Sequence, residues 1–177
     1  MQTHPQPAPV FLAPVACAVV GSRHGSPYGV AQFTAALVAA GGTVRTGCAA
    51  GVDTAALVAV AQAGGTFATV RAPATHAPAG GHVQVMAQTG SPQALAIRTR
   101  LVVTHAQALA VFPPSGGALA LGPGSLLALR EGLRRALPMF VAGPTPPSIG
   151  DCWQPYTVAG VAGWYRPTPR PVMPALF

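Results

Sequence analysis

Three short stretches hold residue types suited to meeting an anion. They are Gly21-Ser22-Arg23, the run Gly47 to Asp53 (GCAAGVD), and Ser115-Gly116-Gly117 with Ser125 further on. Small side chains let backbone N–H groups come close to a phosphate, and the helix that follows such a turn adds partial positive charge. One glycine-rich turn says little. Three in one chain point to a phosphate-bearing ligand. Arg23 lies inside the first turn, and guanidinium groups bind phosphate bidentately. Serines 22, 115 and 125 can donate hydrogen bonds to it. Arg98 and Arg100 are either further phosphate ligands or ordinary solvated helix arginines. Asp53 is the unexpected member, a carboxylate beside an anion-binding turn. Two structural tasks suit it, capping the helix that begins there and accepting the amides of the Gly47–Gly51 turn; direct contact with the ligand is the alternative.

Composition narrows the chemistry. The 177 residues carry ten basic and three acidic side chains, a net charge of +7. Every basic residue is arginine. A GC-rich coding sequence would produce this bias, yet a basic surface attracts polyanions whatever its origin. Without lysine there is neither a Schiff base nor a Walker-type phosphate lysine. Asp53, Glu131 and Asp151 are too scattered in sequence for a paired-acid glycosidase or a carboxylate metal site. Cys17, Cys48 and Cys152 form no C-x-x-C pair, and the histidines show no ligand spacing, so neither a metal nor a cofactor is expected. No G-x-S-x-G elbow surrounds a serine. No apolar run reaches membrane-spanning length, and the N-terminal stretch lacks the basic start of a signal peptide. The expectation is a soluble, cytoplasmic protein without a membrane partner.

The elements that must position these turns alternate. Continuous apolar or β-branched runs at 15–20, 43–46, 66–70, 108–112 and 138–142 read as strands. Helices are predicted over 30–40, 54–63, 92–103 and 125–136. Residues 71–90 read as a long loop. The pattern predicts an α/β, Rossmann-like three-layer fold, with a mainly parallel sheet and helices on both faces. Residues 1–14 read as an extended N-terminal arm and 15–143 as the domain. Residues 144–177 read as an irregular tail rich in Pro and aromatics, which packs over the sheet edge or a helix, or docks a partner. Ligands of such sheets bind at the carboxyl ends of the strands.

The order of VACAVVGSRHGSPYG, VRTGCAAGVDTAAL, AGGTFATV, IRTRLVVTHAQALAVF and the helix ending in PMFVAG resembles the Rossmann-like domain of the DNA-processing DprA (Smf) family. That family belongs to the wider DprA/LOG (SLOG) superfamily. The likeness spans residues 15–143. Leu57, Ala50 and Thr99 stand where the family has histidine, arginine and asparagine. The resemblance implies non-catalytic binding of single-stranded DNA in a basic pocket, pairing into a homodimer, and a recombinase partner in natural transformation. By position, Arg23, the Gly47–Asp53 loop (with Ala50 and Gly51), Arg98 and Arg100 would line that pocket. The loop PPSGGALALGPGS also resembles that of LOG nucleotide hydrolases. Two alternatives therefore stand: a nucleoside 5′-monophosphate phosphoribohydrolase, and a nucleotide-sensing domain.

Overall fold

The structure, a computed structural model, describes residues 10–24, 28–71, 82–85, 92–114 and 121–168, with backbone alone for residues 71 and 82–85. The apolar runs become strands covered on both faces. β1 is Ala16–Gly21, β2 Thr43–Thr46, β3 Thr66–Arg71, β4 His82–Val85, β5 Ala108–Phe112 and β6 Met139–Ala142. β5 and β6 are buried at every residue, which requires helices above and below a parallel sheet. α1 (Val30–Ala39) and α2 (Val52–Gln62) cover one face; α3 (Pro92–Thr104) and α4 (Pro123–Arg134) cover the other. The result is a three-layer, Rossmann-like α/β fold. No helix among the described residues is long and apolar enough to cross a membrane.

Two segments are more ordered than their prolines imply. Within 71–90, read above as a loop, β4 pairs with β3 in parallel. Residues 144–153 are irregular, but Gln154–Val158 (β7) and Val161–Arg166 (β8) form a hairpin that joins the sheet antiparallel to β6. Its turn, Ala159-Gly160, has φ of 50° and 79°, the left-handed pair that matches strand twist in two-residue hairpins. The N-terminal arm also differs from an extended reading. Val10–Leu12 form a 3-10 turn whose Phe11 is fully buried. Phe11 meets Phe33 edge-on at 5.4 Å, and Phe33 stacks on Phe140 at 5.8 Å. This aromatic cluster fills the α1/α2 side of the core.

Among the described residues the strand order is β4-β3-β2-β1-β5-β6-β8-β7. The chain moves outward from β1 to β4, then crosses back to lay β5 on the other side of β1. Connections leaving β1 and β5 therefore diverge, and a crevice opens between them at the carboxyl edge.

Candidate anion-binding cleft

The β1 and β5 ends are tied together first. Ser22 N donates to Phe112 O at 3.0 Å, and Val52 N, in the first turn of α2, donates to Ser22 O at 3.0 Å. Glycine is required where these chains meet. A Cβ on Gly21 would strike the Phe112 carbonyl and lie 2.6 Å from Val52 Cγ2. A Cβ on Gly51, whose φ is 75°, would strike the Ser22 carbonyl and lie 2.9 Å from Arg23 Cα. The Ser22 hydroxyl donates to His24 O at 2.8 Å and accepts from His24 N at 3.0 Å. That local ring bends the loop around Arg23, which is exposed at the bend.

Asp53 resolves the choice between its two structural tasks. Gly51 is the N-cap of α2, and no side chain caps that end. Instead Asp53 Oδ2 accepts Gly47 N at 3.1 Å and Ala49 N at 2.9 Å, from the first turn of the helix back into the loop. Thr54 Oγ1 adds a bond to Ala49 O at 2.9 Å. The loop is thereby held with Cys48 at a φ of 55°. Burial pushes the Asp53 carboxyl above its usual value, while the Ala49 amide, the Thr46 hydroxyl, the Arg98 charge and the Gly47 amide pull it down. Arg98 reaches this loop from α3. A Cβ on Gly47 would lie 3.0 Å from Arg98 Nε and 3.2 Å from Asp53 Oδ2. Burial pushes Arg98 below the usual arginine value; Asp53 opposes that and the charge of Arg23 adds to it. Ion pairs among the described residues are Arg134–Glu131 and Arg166–Asp151, so Arg23 and Arg98 enter no such pair there.

These groups border two joined spaces. A cleft of about 550 Å³ lies between α3 and the start of α4, with Leu95, Ala96 and Leu127 on its apolar walls and Arg23 on its lining. A recess of about 60 Å³ adjoins it, lined by Arg23, Gly47, Asp53 and Arg98. Gly21, Arg23, Thr99, Gly124 and Ser125 border both. The recess exceeds the space needed to admit a single water. Buried Ser125 sits in the first turn of α4. The N-cap of α4, Gly122, gives no side-chain bond, and Pro123 supplies no N–H. The first-turn amides of Gly124 and Ser125 therefore lack helical partners. α1, α2 and α4 all present N-termini without side-chain caps to this edge. Their dipoles and two arginines favour negative charge.

Of the residues singled out in sequence, Gly21, Ser22, Arg23, Gly47, Asp53, Arg98 and Ser125 come together here. Gly51 braces the site from behind. Ala50 is exposed in its turn and borders neither space. Arg100 also lies apart: it is exposed, and its charge acts on Glu131 in α4. Ser115, Gly116 and Gly117 lie outside the described residues. The apolar wall was missed in sequence. Its signal was present, because Pro92, Leu95, Ala96 and Thr99 fall at i, i+3, i+4 and i+7, one face of α3.

A doubly wound sheet with a crevice at its switch point is a Rossmann-like architecture. Comparison with solved structures narrows that class to the fold of DNA processing protein A and of the molybdenum cofactor carrier protein. DprA of Streptococcus pneumoniae aligns with a TM-score of 0.58 at 19% identity, over 78% of this chain and 54% of its own. DprA of Helicobacter pylori, a protein with a unique single-stranded DNA binding mode, aligns at 0.55 and 19%, over 80% and 71%. The molybdenum cofactor carrier protein of Chlamydomonas reinhardtii aligns at 0.58 and 19%, over 76% and 78%. The chain thus spans about half the length of the S. pneumoniae protein. No family model and no curated protein matches the sequence.

Proposed function

We propose that this chain binds a phosphate-bearing nucleotide ligand, single-stranded DNA foremost, at the carboxyl edge of its sheet and does so without catalysis. The observation that carries the reading is the joined pair of spaces. A small recess beside Arg23 and Arg98 adjoins an apolar cleft that suits a base, and the two share Gly21, Arg23, Thr99, Gly124 and Ser125 in their linings. The net charge of +7 and the fold of DprA support a polyanion. Arg23 and the Arg98–Gly47 corner hold backbone phosphate in this account, and the Leu95–Leu127 walls receive a base. Asp53 shapes the loop rather than touching the ligand. Glu131 is paired with Arg134, so it is not poised as a hydrolytic acid.

A free nucleoside monophosphate is the second reading, favoured by the cleft's single-nucleotide scale. A thermal-shift screen separates the two. A short oligodeoxynucleotide should raise the Tm, because a ligand that binds only the folded state stabilises it by mass action. Nucleoside monophosphates should raise it less and should release no free base on incubation. A shift with monophosphate alone, or released base, would displace the DNA reading.

A further inference from the structure

Tyr28, two residues before α1, is 66% exposed. The other described tyrosines are half-buried or buried in the core, so Tyr28 is the described tyrosine left displayed to solvent. Its perch is anchored. Gly29 has a φ of 81°, and a Cβ there would come within 2.6 Å of the Val161 side chain at the start of β8. Phe33 N donates to Gly29 O at 2.9 Å. The residue after Tyr28 is therefore held in place at the N-terminus of α1. That terminus lies on the same sheet edge as Arg23, because helices of a parallel sheet begin where the strands end. Five peptide steps separate the two residues, so their Cα atoms are at most about 18 Å apart.

The recess and cleft lie between α3 and α4, while α1 covers the opposite face. A mononucleotide seated by Arg23 and Arg98 fills its cleft on one side of the edge and leaves Tyr28 bare. A strand that continues past Arg23 toward the α1 end of the edge approaches Tyr28, whose Cα lies at most about 18 Å from that of Arg23. We infer that Tyr28 is a base-stacking contact for a single-stranded nucleic acid, and that the ligand is the polymer. This rests on the anion-binding reading of the recess. Stacking on an aromatic face tolerates any base, which suits a site whose other contacts are to the backbone.

The test uses fluorescence anisotropy with a labelled oligodeoxythymidylate, and calorimetric titration with thymidine 5′-monophosphate. Tyr28→Ala is expected to weaken the oligomer by about ten-fold. Tyr28→Phe should restore it to within about two-fold, since the ring face remains. Monophosphate affinity and the salt slope of oligomer binding should not change in Tyr28→Ala, because an uncharged ring releases no counterions. Wild-type binding of the oligomer with no loss in Tyr28→Ala, or no rescue by Tyr28→Phe, overturns the stacking role alone. Failure of the wild type to bind either ligand overturns the recess reading beneath it. Binding of monophosphate without oligomer overturns the polymer.

Discussion

One oxygen of Asp53 accepts two amides of the loop that leaves β2. Removing that acceptor leaves the Gly47 N–H buried and unpaired, a loss of about 1–3 kcal/mol. Asp53→Ala should therefore lower stability by this amount in urea unfolding. Asp53→Asn retains an acceptor and should lose less. The pair also has a pH signature. Burial raises the folded-state carboxyl above 3.8, so the folded protein holds this proton more tightly than the unfolded chain. Asp53's contribution to wild-type stability should then fall as pH rises from about 3.8 to the raised folded value. Asp53→Asn cannot titrate there. Its deficit relative to wild type should shrink over that window and level off above it. A deficit independent of pH would show that burial does not govern the group. The loop-pinning option for Asp53 was legible, because a carboxylate amid small residues has amides to accept. The separation of Arg98 from Arg100 was legible too, although both were placed in the site. Residues two apart on a helix point in nearly opposite directions.

At the scale of elements, the site is made by close approaches between chain segments. Gly51 is where the β1 loop, the β2 loop and α2 converge, with left-handed φ and no room for a Cβ. Gly51→Ala should cost about 1–3 kcal/mol or more and weaken ligand binding. Gly64→Ala is the control. Gly64 shares a positive φ of 66° but has nothing within 4 Å of an added Cβ, so only backbone strain of about 1 kcal/mol remains and binding is unchanged. Equal effects of the two substitutions would show that crowding at Gly51 does not shape the site. Buried strands read clearly, since β1, β5 and β6 are continuous apolar runs between breakers. The β7–β8 hairpin did not. Pro155 argues against a strand unless it lies at an edge, and β7 is the edge. Its Ala159-Gly160 turn lacks the usual asparagine or aspartate. β4 was hidden for a related reason: four residues carry too little periodicity. Phe11 sits in a proline-rich stretch, and only tertiary packing shows it to be core.

For the whole molecule, two arginines outside the ion pairs among the described residues, Arg23 and Arg98, and three helix N-termini without side-chain caps meet at one edge of the sheet. That distribution predicts how binding responds to salt. A ligand held through its phosphates releases counterions, so log affinity falls linearly with log salt concentration, with a slope set by the number of phosphates neutralised. The most direct measurement is oligodeoxynucleotide affinity across a salt series for wild type, Arg23→Ala and Arg98→Ala. The account predicts a steep slope for the wild type. Each arginine loss should weaken binding for every sequence tested and make the slope shallower by about one unit. Undiminished affinity and slope in both variants would contradict the placement of the ligand at Arg23 and Arg98.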